Sequence, residues 1–183
     1  SGSWRGMDTG FLVENRIQAN EEPVLFQGIR ATKPFLIIIW SVSFKRRYTN
    51  MTQPYYDFCV AAGGGQHKDG GALYTCRLDS DGSVIRVVST TGLPSTAPGY
   101  LTVTLTQSGE QILYATSGEE ISWFSIGDDG KLELSGSAPT GSNGASHLCT
   151  DSTASLLFTA NYGSGTVSLL PIAEDGALGE AKV

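Results

Sequence analysis

The stretch Ile121-Ser122-Trp123-Phe124-Ser125-Ile126-Gly127-Asp128-Asp129-Gly130-Lys131-Leu132-Glu133-Leu134 reads as two strands around an Asp-Gly turn. Apolar and polar residues alternate on both sides of the turn, the period of a half-buried strand. Glycine after aspartate accepts the positive φ that a tight hairpin demands. The pattern recurs. Ala72–Leu78 and Val84–Val88 flank Asp81-Gly82, and Thr166–Ile172 and Ala177-Leu178 flank Asp175-Gly176. The three aspartates are spaced by 48 and 46 residues.

Working upstream, Gln111–Thr116 corresponds to Ser155–Ala160, with Tyr55–Val60 as a looser first copy. Tyr100–Val103 corresponds to His147–Thr150. Each full unit therefore carries four short strands, and four strands at a period in the forties mark a β-propeller blade. The expected fold is all-β, a partial propeller of four-stranded antiparallel blades at about 54–92, 93–140 and 141–183. Propellers usually close with four to eight blades. An open arc leaves apolar faces at its ends, so a chain of three blades is expected to be poorly soluble or to associate through its open blade edges.

Composition agrees with a turn-rich β protein. Charged residues are 16% of the 183, Gly is 23, and 40% of the chain is apolar, enough for a core. The net charge of -6 disfavours nonspecific nucleic-acid binding, which feeds on Lys and Arg. The charge is uneven. Residues 1–53 hold seven basic and four acidic residues, whereas 54–183 hold five and fourteen. That shift sets residues 1–53 apart as an N-terminal extension of unclear structure. Within it Pro34–Phe44 is apolar but too short to span a bilayer as a helix. Its Ile, Trp, Val and Phe favour a buried strand ending in the solvated run Lys45-Arg46-Arg47, so no membrane contact is expected.

Cys59, Cys76 and Cys149 are odd in number and lack a C-x-x-C pair. They read as buried, reduced thiols of a cytoplasmic protein. The start Ser1-Gly2-Ser3 has no charged region leading into an apolar one, so no signal peptide is expected. Two histidines and three scattered cysteines provide no zinc set, and neither a phosphate loop nor a nucleophile elbow is present. No cofactor or metal is expected.

Ser146-His147-Leu148, opening one unit, and Asn161-Tyr162-Gly163-Ser164-Gly165-Thr166-Val167 inside it resemble the lactonase family of seven-bladed propellers. Pro98-Gly99-Tyr100-Leu101 and Gln111–Tyr114 resemble its second blade. The family includes propeller-type 6-phosphogluconolactonases and fungal carboxymuconate cyclases. The resemblance covers about residues 55–183. It implies that the family's C-terminal blades are missing from these 183 residues, which alone should be weakly active or inactive.

It also implies a small-molecule lactone substrate, a carboxylic ester hydrolase of the 6-phosphogluconolactonase type, and no cofactor. Carboxymuconate cyclisation is the alternative within the family, and a noncatalytic fragment binding a protein partner is the alternative outside it. The family's site lies at the central channel and draws on a histidine, which His147 matches. His147 opens an expected innermost strand, where an imidazole can move a proton in lactone opening.

Tyr100 takes the equivalent place one blade earlier and could hydrogen-bond substrate, although a structural channel aromatic is the competing role. Asn161 and Tyr162 are placed as substrate-binding residues on a strand-to-strand turn, where Asn and Gly also suit the backbone itself. His67, Lys68 and Asp69 read as a solvated loop tip, and Arg77 and Arg86 as surface residues.

Overall fold

Two copies of one hairpin turn set the frame. Gly127 N–H donates to Lys131 O at 2.9 Å and Gly130 N–H to Gly127 O at 2.8 Å. Ala173 N–H to Ala177 O and Gly176 N–H to Ala173 O repeat the pattern, both at 2.9 Å. Gly130 and Gly176 have φ of 82° and 88°, the left-handed region that favours glycine. The Asp129 and Asp175 carboxylates each accept the backbone N–H two residues on, at 3.0 Å. These are the second and third Asp-Gly turns. The first, Asp81-Gly82, lies outside the described residues.

The computed structural model describes residues 40–44, 55–62, 71–79, 84–93 and 98–183, and among them every regular element is a strand. Three antiparallel meanders follow in chain order. The first is β1 (Trp40–Phe44), β2 (Tyr55–Ala62), β3 (Ala72–Asp79) and β4 (Ile85–Gly92). The second is β5 (Pro98–Leu105), β6 (Gln111–Ser117), β7 (Glu120–Ile126) and β8 (Leu132–Pro139). The third is β9 (Ala145–Thr150), β10 (Leu156–Asn161) and β11 (Thr166–Pro171). First strands lie side by side, β1 by β5 and β5 by β9, while the fourth strands β4 and β8 barely meet. The sheets therefore fan out from an axis lined by their first strands, as propeller blades do.

Two expectations change here. The boundary drawn at residue 54 falls inside the first sheet, because β1 pairs with β2 from Trp40↔Ala61 to Phe44↔Asp57. The compact unit holding all three sheets includes β1. The charge shift marked a change of composition within a blade. In the third sheet the fourth strand is reduced to two isolated bridges, Ile172↔Leu178 and Leu169↔Lys182. Leu169 and Lys182 exchange both backbone bonds, at 2.8 and 2.9 Å, so the fourth position is filled without a regular strand.

The period-2 alternation explains the packing. Along β6, Leu113 and Ala115 join Cys59, Ala61 and Leu73 of the first sheet in one apolar cluster. Ile112 and Tyr114, which alternate with them in sequence, join Leu148, Leu157 and Leu170 of the third sheet in another. The central sheet is thus buried on both faces, with Leu113, Tyr114, Ile121 and Phe124 fully inaccessible. Each such side chain contributes roughly 2 kcal/mol of burial. Tyr114 also donates its hydroxyl to Gly176 O at 2.8 Å, latching the second sheet onto a turn of the third. Gly136 stands opposite Trp123, where a methyl group would overlap the indole.

Candidate functional site

All four residues singled out in the sequence fall at one end of the fan. There the β6–β7 and β10–β11 turns and the β8–β9 crossover lie close to the starts of β5 and β9. Irregular pairing positions the central two. Pro98 pairs with Ser117 and Leu101 with Ala115, so Gly99 and Tyr100 stand opposite the single residue Thr116. Ala145 pairs with Asn161 and His147 with Ala160, so Ser146 and His147 share one partner in the same way. Both first strands carry a two-against-one β-bulge at the same place in the repeat. Such bulges bend a strand and re-aim its side chains.

The bulges bring two residues together that lie 47 positions apart. The rings of Tyr100 and His147 meet with centroids 4.2 Å apart and planes tilted by 37°. His147 is exposed and Tyr100 half-buried. An imidazole that is open to solvent on one side and braced by an aromatic ring on the other can take a proton from water or give one to a leaving oxygen.

Tyr162 lies on the β10–β11 turn, 89% exposed, with its N–H donated to Gly144 O at 2.8 Å. Gly144 has φ of 75°, and a side chain there would meet Gly163 N at 2.6 Å, so turn and crossover are closely pressed. Ser142 Oγ lies 2.7 Å from Ser164 Oγ and 2.8 Å from Thr166 Oγ1, tying the same two segments together. A depression of about 300 Å³ beside the crossover is lined by Glu119, Pro139, Gly141, Ser142 and Asn143, and its lining does not include the ring pair.

Asn161 departs from its expected role. It is 1% exposed, and its amide donates to Thr166 Oγ1 at 3.2 Å and Ser168 Oγ at 2.7 Å. Its side chain holds β10 to β11. Thr166 and Ser168, alternating along β11, were the sequence signal for that buried polar ladder.

Two further placements differ from expectation. Cys149 is exposed, while Cys59 and Cys76 are buried. Burial pushes the Cys59 thiol up to about 12, with Cys76 beside it adding to the rise. Arg77 is paired with the buried Asp57, its Nε donating at 2.7 Å and a second nitrogen at 3.0 Å. The two stand directly opposite in the β2–β3 register, a cross-strand partnership the linear sequence did not signal. Arg86 is exposed. His67, Lys68 and Asp69 lie outside the described residues. Among the described residues no three His, Cys, Asp or Glu side chains form a metal-binding group, and no helix is long and apolar enough to cross a membrane.

Radial antiparallel meanders of three and four strands, with paired aromatic and imidazole rings at bulged first strands, define a β-propeller with a candidate site at its axis. Residues 59–183 match the family described as lactonase, seven-bladed β-propeller, and the chain belongs to that family. A solved structure from Bacteroides fragilis NCTC 9343, of a protein proposed to be a 6-phosphogluconolactonase, is similar with a TM-score of 0.56 and 22% identity, over 71% of this chain and 35% of its own. Another from Bacteroides uniformis ATCC 8492, proposed to have the same activity, has a TM-score of 0.56 and 26% identity, over 69% of this chain and 37% of its own. The chain thus spans about a third of the length of these structures. Among curated proteins none matches it.

Proposed function

We propose that these blades belong to a lactone hydrolase of the 6-phosphogluconolactonase type and that His147 is its proton-transfer residue. The observation that carries this reading is the exposed His147 ring braced against Tyr100 at paired bulges of the first strands, in a chain of the lactonase family.

Ring opening needs a water oxygen to bond to the lactone carbonyl and the ring C–O bond to break. His147 takes the proton from the attacking water as that bond forms and returns it to the departing ring oxygen, so the imidazole ends as it began. Tyr100 holds the imidazole and presents an aromatic edge to the substrate. Tyr162, exposed on the turn pressed against the crossover, is the outer contact.

The test is hydrolysis of 6-phosphogluconolactone followed against its spontaneous rate. The reading expects acceleration that His147→Ala abolishes. Any acceleration over the spontaneous rate that persists unchanged in His147→Ala would reject it.

A further inference from the structure

We propose that Thr116 is a positioning residue for the Tyr100–His147 pair. The inference rests on the assignment of His147 to proton transfer, and it concerns how that ring is held. A bulge takes backbone groups out of the strand ladder, and each N–H so released needs another partner. The N–H released here is that of Tyr100, and the Thr116 hydroxyl accepts it at 2.7 Å. Thr116 is fully buried and is the single residue facing both Gly99 and Tyr100 across the strands.

Gly99 gives an independent sign of the same device. A side chain there would meet Thr116 Oγ1 at 2.7 Å and the Ala145 carbonyl at 3.1 Å. Ala145 belongs to β9, two residues before His147. The glycine lets β5 press against that hydroxyl and the next first strand just where both bulges begin. A hydroxyl at position 116 thus fixes the turn of backbone that aims Tyr100, and Tyr100 in turn limits where the His147 ring can lie. The bulge of the third sheet carries a different side-chain bond, to a carbonyl and not from an N–H. Ala160, which faces its bulge, has no hydroxyl, and Ser146 Oγ donates to the Ala160 carbonyl at 3.2 Å.

The decisive reading is NMR of the His147 ring protons in the 183-residue chain, whose two histidines are His67 and His147. Tyr100→Leu measures the full ring-current contribution of the tyrosine. Thr116→Val, which keeps the shape and removes the hydroxyl, is expected to lose most of that contribution, and Thr116→Ser to keep it. If Thr116→Val does not fold, Gly99→Ala, whose methyl displaces the hydroxyl, should lose it as well. Retention of the full shift in a folded Thr116→Val or Gly99→Ala would overturn the proposal.

In lactone hydrolysis Thr116→Val should lower kcat about tenfold with KM nearly unchanged, because a misplaced catalytic group costs rate rather than binding. An altered KM with an unaltered kcat would count against positioning. The ring-proton measurement stands whether or not the protein hydrolyses lactones, so failure of the hydrolase reading and failure of this one are distinguishable.

Discussion

Tyr114→Phe removes one oxygen from the centre of the molecule and nothing else. The ring is fully buried between the second and third sheets, and phenylalanine fills the same space, so no cavity term enters. What is lost is the 2.8 Å bond to Gly176 O. Gly176 is itself buried, so its carbonyl loses that donor where water cannot readily replace it. A buried acceptor stripped of its partner costs about 1–3 kcal/mol. With a urea slope of about 2 kcal/mol per molar, the unfolding midpoint should fall by roughly 0.5–1.5 M at unchanged slope. Equilibrium urea unfolding followed by circular dichroism reads this directly, with Tyr162→Phe on the exposed turn as a control expected to stay within about 0.5 kcal/mol.

The bond has a pH signature too. Burial, with a smaller push from Asp175, holds the Tyr114 phenol well above its usual range. A group whose folded titration is raised stabilises fully below its unfolded value and loses that contribution as pH rises. The stability difference between the unaltered protein and the Tyr114→Phe variant should therefore be constant up to about pH 10 and shrink above it. An unchanged urea midpoint in Tyr114→Phe would refute the reasoning that this hydroxyl latches the two sheets.

Three other perturbations follow from the same structure. Gly144→Ala, at φ of 75° and pressed on Gly163 N, should destabilise by about 1–3 kcal/mol, measured by thermal unfolding. In the native protein a thiol reagent should label Cys149, with Cys59 and Cys76 reacting after denaturant is added, because both are buried and burial raises their thiols. Asp151 accepts the Thr153 hydroxyl and the N–H groups of Leu156 at 2.9 Å and Ser155 at 2.8 Å, which hold its carboxyl well below the usual range. Its contribution is present above about pH 4 and is lost as pH falls further, so Asp151→Asn should be less stable at neutral pH and show a shallower loss of stability between about pH 5 and 2, measured by urea unfolding across that range.

The architecture was legible because it depends on short-range rules. The Asp-Gly turns at 129 and 175 and the alternation along β6 each need only a handful of neighbouring residues. β1 escaped the first blade because it lies among basic residues and is separated from β2 by a segment with no hairpin signal. The repeat overstated the fourth strand of the third sheet. Gly179 and Glu180 follow Leu178, and the chain pairs at Leu178 and again at Lys182 without a continuous ladder between them.

At the site, His147 and Tyr100 were visible as equivalent positions of a repeat, but their contact was not, since it depends on two bulges whose register no local pattern states. Gly99 beside Tyr100 was the one hint, a glycine inside a strand often marking a bulge or a close approach. Asn161 misled because the same amide suits a substrate and a strand pair. The nearby Thr166 and Ser168 decide between them once the register is known.

The most direct measurement is kcat/KM for lactone hydrolysis by the unaltered protein and by His147→Ala under identical conditions. Loss of a positioned proton-transfer group costs about 10²–10⁴-fold. The prediction is a fall within that range with the fold intact by circular dichroism. A folded His147→Ala protein that hydrolyses the lactone as fast as the unaltered one would contradict the assignment of the site.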